Sequence, residues 1–184
     1  MSSAYRKREV ISMKILLYGF KAYDEFEDNI TEKILLAFPE TEDIRKIVFD
    51  VKFDRSMFER GFHEVGPDII LGMGQHPRAS EIHIERFARN AWASREMNQV
   101  LPIEGAAEAS LLEMSLALPM FSYGKESVDA GTYVCNYSMY CAESYSRKRG
   151  AQAGFIHVPI TLPVDSGVKF VEMLIASFHS DRIT

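Results

Sequence analysis

Apolar residues along this chain fall into two rhythms, short unbroken runs and helical spacings, and the two alternate. Lys14-Ile-Leu-Leu-Tyr-Gly-Phe20 reads as a buried first strand ending at a glycine. Residues Ile30 to Phe38 are rich in helix formers, with Ile34, Leu35 and Phe38 at helical spacing; Asp28 or Asn29 is placed to cap that helix and Pro39 to stop it. Ile44 to Val51 reads as a second strand, and Asp54 to Val65 as a helix with Met57, Phe58 and Phe62 on one face. Gly66-Pro67 breaks it before a short apolar strand, Asp68-Ile-Ile-Leu71, and a glycine-bearing loop, Gly72-Met-Gly-Gln-His-Pro77. Strand, helix, strand, helix, strand argues for an α/β sheet with helices on both faces.

The second half continues the pattern. Ile82 to Ala91 reads as extended, Ser127 to Ala130 as a short strand, and Tyr133 to Arg149 as a helix ending at Gly150. Gly154-Phe-Ile-His-Val158 is a predicted strand closed by Pro159. A last helix is predicted from about Gly167 to Phe178, with Val168, Val171, Leu174, Ile175 and Phe178 on one face. No repeat, low-complexity stretch or linker divides the chain. Residues 13–184 read as one domain behind a flexible N-terminal extension, residues 1–12.

Composition narrows the partners. With 47% hydrophobic residues the chain can bury a sizeable core, and a net charge of −5 argues against nucleic acid or an anionic membrane as the main partner. The longest apolar runs, such as Ile15 to Tyr18 and Ile69 to Leu71, are strand-sized, so no membrane span is predicted. Arg6, Lys7 and Arg8 are not followed by the long apolar stretch of a secretory signal. The two cysteines, Cys135 and Cys141, lie six apart on one predicted helix, where they cannot easily meet. Both read as reduced thiols, which suits a cytoplasmic location.

Three residues stand out for chemistry. Cys135 follows Ala130-Gly-Thr-Tyr-Val134, so a strand and a glycine turn deliver it to a helix start. Free N–H groups and a partial positive charge there favour a thiolate. Position alone also allows a small buried hydrophobe, the expected role of Cys141. His157 sits inside an apolar strand, either as a hydrogen-bonded core residue or as the base that a thiol nucleophile needs. Glu85 lies in Ile82-His-Ile-Glu-Arg-Phe87, where an extended backbone puts it on one face with His83; it either orients an imidazole or pairs with Arg86 at the surface. The glycine loop lacks both the G-x-G-x-x-G spacing and a Walker lysine, which argues against nucleotide binding. His63, His76 and His83 have no metal-ligand spacing, so no metal site is predicted.

Several motifs together resemble the pyroglutamyl peptidase I (pyrrolidone-carboxylate peptidase) family. Gly19-Phe20-Lys-Ala-Tyr23 through Asn29-Ile-Thr31 is similar to that family's G-F-x-P-F-G-G…N-P-[ST] segment. Pro67-Asp-Ile-Ile through Gly74-Gln75 is similar to its P-D…G-Q loop, and Ile84-Glu-Arg with Asn90 to its E-R-x-A-x-N segment. Ala130-Gly-Thr-Tyr-Val-Cys-Asn-Tyr137 resembles the nucleophile motif and Gly154-Phe-Ile-His-Val-Pro159 the histidine motif. They occur in the family's order across most of residues 14–160.

The resemblance implies a three-layer α/β/α sandwich around a mostly parallel sheet, often assembled as a homodimer or homotetramer. It implies a cysteine peptidase that removes N-terminal pyroglutamate from peptides without metal or cofactor. Carried over, Cys135 is the nucleophile, His157 the base, Glu85 the orienting acid and Arg95 part of the oxyanion site. Phe20, Tyr23, Gln75, Tyr133 and Val134 fall around the ring pocket; aromatic walls suit a flat, neutral lactam and Gln75 can pair with its amide. The chain also departs from the pattern. The family's proline is Ala22, its Gly-Gly is Asp24-Glu25, and the proline of N-P-[ST] is Ile30. The loop after the glutamate segment and the stretch from Pro119 to Ser127 are short, which predicts exposed apolar surface there, with Met120, Phe121 and Tyr123 as contacts between copies. Glu96 stands where the family has an apolar pocket residue, and predicts either a looser pocket with a preference for basic leaving residues or a pair with Arg95 or Arg89. The departures keep two other readings open, a same-fold hydrolase of another small amide and a catalytically silent peptide-binding relative.

Overall fold

The computed structural model describes residues 13–94, 96–105, 110–122 and 124–180, with the backbone alone for His179 and Ser180. The extension 1–12, Arg95 and Tyr123 lie outside the described residues. Among the described residues, ten strands and four helices follow in the order β1 (Ile15–Phe20), α1 (Ile30–Ala37), β2 (Ile44–Phe49), α2 (Arg55–Val65), β3 (Ile69–His76), β4 (Ile82–Glu85), β5 (Phe87–Arg89), β6 (Trp92–Ser94), β7 (Gln99–Leu101), β8 (Leu111–Glu113), β9 (Gly124–Ser127), α3 (Val134–Arg149), β10 (Gln152–Pro159) and α4 (Val164–Ser180).

Six strands form one sheet in the order β2-β1-β3-β10-β4-β9. All neighbours run parallel except β10 and β4, which pair antiparallel. The helical crossovers α1, α2 and α3 permit the parallel pairing, which cannot be closed by a tight turn. Helices α1 and α4 cover one face over an aliphatic core of residues such as Ile34, Leu71, Ile156 and Leu174. Helices α2 and α3 cover the other over an aromatic core including Tyr18, Phe58, Phe62 and Phe155. The result is an α/β/α sandwich with a mostly parallel sheet. Asn29 and Asp54 cap α1 and α2 through their side chains, and α1 stops just before Pro39.

Several elements differ from the sequence-based expectation. Strand β3 runs through the supposed loop as far as His76. Its glycines are there for space: a Cβ at Gly72 would stand 2.4 Å from Tyr18 Cζ and 2.5 Å from Phe155 Cδ2. Strand β9 lies at Gly124–Ser127, so residues 128–133 form the turn into α3, with Gly131 at φ +75°. The β5–β8 and β6–β7 pairs were not anticipated; they are short antiparallel ribbons with little apolar periodicity. In the shortened segment, Phe121 turns inward and meets Phe170 edge-on at 5.7 Å, so it covers α4 of its own chain, while Met120 stays exposed.

Candidate active site

The first turn of α3 sets the nucleophile position. Tyr133 is the extended N-cap residue, and the first helical bond runs from the Tyr137 N–H to the Tyr133 carbonyl at 3.1 Å. The N–H groups of Val134, Cys135 and Asn136 therefore have no acceptor within the helix. Asn136 ties this turn down: its Oδ1 accepts from the Arg89 N–H at 2.7 Å, and its Nδ2 donates to the carbonyls of Arg89 (2.9 Å) and Ala91 (2.8 Å). Cys135 is half-buried, while Cys141, two turns on, is buried in the aromatic core. Burial pushes the Cys141 thiol up to about 12, so it stays protonated and inert.

His157 comes from β10 and Glu85 from β4, the antiparallel neighbour. Both are buried, and His157 Nδ1 lies 2.6 Å from Glu85 Oε1. Arg86, the surface partner open to Glu85 on sequence grounds, pairs instead with Glu126 at 3.3 Å. The other edge of the imidazole and the sulfur meet over Gly74: a Cβ there would stand 2.6 Å from Cys135 Sγ and 3.0 Å from His157 Cδ2. Burial works against the imidazolium, but the adjoining Cys135 sulfur and Glu85 outweigh it and hold His157 at about 9. Burial likewise opposes the Glu85 charge; His157 overcomes it, with smaller help from Ser127, and the carboxyl stays below its ordinary range. Glu85 and His157 can therefore rest as a carboxylate and imidazolium pair beside the Cys135 sulfur.

A cavity of about 340 Å³ opens over Cys135 and His157. Phe20, Tyr23, Gln75, Tyr133 and Val134 all line it. Tyr23 packs on Tyr133 with ring centroids 6.1 Å apart. Burial, more than any neighbour, lifts the Tyr23 phenol to about 12, so it stays a neutral donor. Gln75 Oε1 accepts the Ile30 N–H at 2.9 Å, which fixes the amide. Its Nε2 is buried near the Tyr23 hydroxyl and makes no hydrogen bond of normal geometry among the described residues.

The β1–α1 turn that carries Phe20 and Tyr23 is held from below. Thr31 Oγ1 accepts the Phe20 N–H at 3.0 Å and donates to Asn29 Oδ1 at 2.7 Å, and Asn29 Nδ2 donates to the Lys21 carbonyl at 3.1 Å. Asp24, in the place of a family glycine, has a left-handed backbone at φ +49°; aspartate is among the few residues that tolerate it. Glu96 is exposed in the β6–β7 turn and is not among the cavity-lining residues, the outward one of its two expected placements, and Arg89 pairs instead with Asp129 at 3.3 Å. Arg95 lies outside the described residues. Among the described residues, no group of three or more His, Cys, Asp or Glu is placed to hold a metal ion.

The sequence and the fold both have counterparts among known proteins. The family model described as pyroglutamyl peptidase matches residues 122–170. A pyrrolidone-carboxylate peptidase of Thermococcus litoralis is 31% identical over 169 residues, covering 80% of this chain and 77% of the relative. The chain belongs to the pyroglutamyl peptidase family. The Pyrococcus furiosus pyrrolidone-carboxylate peptidase is 30% identical over 176 residues, covering 80% of this chain and 81% of its own. The solved pyrrolidone carboxyl peptidase from T. litoralis superposes with a TM-score of 0.76 at 23% identity over 92% of this chain and 96% of that one. A mutant pyrrolidone carboxyl peptidase from P. furiosus gives 0.76 at 26% identity, over 90% and 97%. Within this family frame, Gly74 and Asn136 are site-building residues that the sequence reading left without a role, and Asn29 adds to its expected cap a bond to the Lys21 carbonyl. The signal for Gly74 was available: two glycines two apart beyond an apolar run match the strand period, and mean one crowded face.

Proposed function

We propose that this chain is a cysteine peptidase that removes N-terminal pyroglutamate from peptides. The observation that carries the reading is the Cys135–His157–Glu85 row at the floor of an aromatic cavity that Gln75 also lines. The lactam lies among Phe20, Tyr23 and Tyr133, and Gln75 Nε2 donates to its carbonyl. The Cys135 thiolate attacks the carbonyl that joins pyroglutamate to the next residue. The free N–H groups at the start of α3, with Arg95, stabilise the oxyanion. His157 gives its proton to the leaving nitrogen, the C–N bond breaks, and an acyl-thioester remains. Water, deprotonated by His157, then releases pyroglutamate and restores the thiol. Glu85 holds the imidazole in orientation throughout. Side chains and backbone supply every role, so the scheme is complete without metal or cofactor.

Residues 13–184 act in this reading as one domain, in a cytoplasmic setting suited to two free thiols, and as a homodimer or homotetramer. No helix among the described residues is long and apolar enough to cross a membrane. Exposed Met120 is the side chain through which copies would meet; a monomer in sedimentation at micromolar concentration refutes that assembly. The activity is tested with a fluorogenic pyroglutamyl amide against prolyl, alanyl and glutamyl amides. Turnover of the pyroglutamyl compound alone is expected, and preference for any control refutes the substrate.

A further inference from the structure

We propose that the cavity wall formed by His76, Pro77 and Arg78 is a subsite for the leaving residue, and that it selects a carboxylate held close to the scissile amide. The inference rests on the reading of the cavity as a pyroglutamyl peptidase site. All three residues line the cavity beside Cys135 and His157. The His76 ring meets the His157 ring edge-on, centroids 5.4 Å apart. His157 is the group that protonates the departing nitrogen, so the residue attached to that nitrogen passes along this wall.

The wall is built to donate. The Arg78 backbone N–H donates to His76 Nδ1 at 3.2 Å. Nδ1 is therefore an acceptor, and the neutral ring carries its proton on Nε2. Burial and the neighbouring imidazoles of His157 and His83 favour that neutral form. Arg78 adds a full charge. It is exposed and makes no ion pair among the described residues, whereas the nearby acids are engaged. Asp129 binds Arg89 at 3.3 Å and accepts the Gly131 N–H at 2.9 Å; Glu81 binds Lys125 at 3.4 Å. A basic leaving residue would have to displace Arg89 to reach Asp129. A carboxylate has Arg78 to meet and nothing to displace.

Two leaving groups present that chemistry: the α-carboxylate of a pyroglutamyl dipeptide, and an acidic side chain at the head of a longer peptide. The test measures kcat/KM for two matched pairs, pyroglutamyl-Ala with its C-terminal amide, and pyroglutamyl-Glu amide with pyroglutamyl-Gln amide. Wild type and Arg78→Gln are compared at low salt and in about 0.5 M NaCl, where exposed charges are screened. The expected result is a preference of roughly threefold to fivefold for the carboxylate member of at least one pair, the scale of an exposed ion pair. The pair that shows it identifies the source. The preference should vanish in high salt and in Arg78→Gln, and within-pair ratios cancel any general effect of the substitution. Wild-type ratios of one, or ratios that Arg78→Gln leaves intact, overturn the subsite alone. Failure of wild type to cleave any of the four overturns the activity reading, and the subsite with it.

Discussion

The two faces of the six-stranded sheet are made from the same strands and do different work. On the α1/α4 side, β1 presents Ile15 and Leu17, β3 presents Ile69, Leu71 and Met73, and β10 presents Ile156 and Val158, all aliphatic or thioether side chains. One residue along each strand the parity reverses. Towards α2 and α3 stand Tyr18 and Phe20, then Gly72 and Gly74, then Phe155 and His157. Every polar group of the candidate triad and every close-contact glycine of β3 belongs to this second face. Because strand side chains alternate, one apolar run can stabilise the fold with one set of alternate positions and build a site with the other. The comparison gives substitutions on the two faces different signatures.

The largest effect is expected from the two cysteines of α3. Cys135→Ala should lower kcat/KM by about 10⁴-fold or more, the scale of losing a covalent nucleophile, and should abolish stoichiometric alkylation. Cys141→Ala, in the aromatic core, should keep activity within about threefold and cost about 1 kcal/mol of stability for a small void. An active Cys135→Ala protein would break the assignment of function to the helix start.

Gly74 offers a sharper separation of space from chemistry. An added methyl at Gly74 would collide with Cys135 Sγ and crowd His157 Cδ2. A displacement of about 1 Å is expected to cost roughly 10² in kcat/KM. Gly74→Ala should therefore be nearly inactive with an unchanged circular dichroism spectrum. Activity near wild type would mean that sulfur and imidazole need not converge there.

The opposite face supplies the control. Leu174 on α4 is fully buried in the aliphatic core. Leu174→Ala should cost about 2–5 kcal/mol, read as a lower midpoint in urea, while kcat/KM of the folded protein stays within about twofold. A specific loss of kcat/KM would show that the two faces are coupled.

Much of this division was legible in the sequence. The alternation of strand and helix reported the sandwich, whereas Cys135 and His157 were singled out by the resemblance of the motifs around them, since position alone left each open. What was not legible is three-dimensional. Gly72 and Gly74 read as a loop; their spacing matched the strand period, but the groups that crowd them, Tyr18, Phe155 and Cys135, come from other parts of the chain. The β5–β8 and β6–β7 ribbons are three-residue strands held by Asn90 and Asn136, whose amides bridge residues 13 to 47 positions away. Glu96 looked like a pocket residue by alignment; the ribbon turn carries it outward. The Glu85–His157 contact needed the antiparallel pairing of β4 with β10, which no periodicity predicts.

The smallest expected effect concerns proton linkage within the polar face. His157 titrates at about 9, above the ordinary imidazole value of 6.5. A group whose pKa rises on folding binds its proton more tightly in the folded state. Its contribution to stability is then complete below about pH 6.5 and is lost as pH rises through about 9. Glu85 has the opposite sign: its pKa falls on folding, so its contribution is present above the ordinary carboxylate range and lost as pH falls through that range. Between these limits the pair should be at its most stable. The difference in melting temperature between wild type and His157→Gln isolates the first term, because lysines and tyrosines that titrate at high pH are common to both proteins. That difference should shrink by a few degrees from pH 7 to pH 10, in step with loss of kcat as the imidazolium that protonates the leaving amine disappears. A difference that stays flat across this range would mean that His157 carries no proton at neutral pH, and that the resting site is a neutral thiol and imidazole, with Cys135 deprotonated only as the substrate carbonyl is attacked.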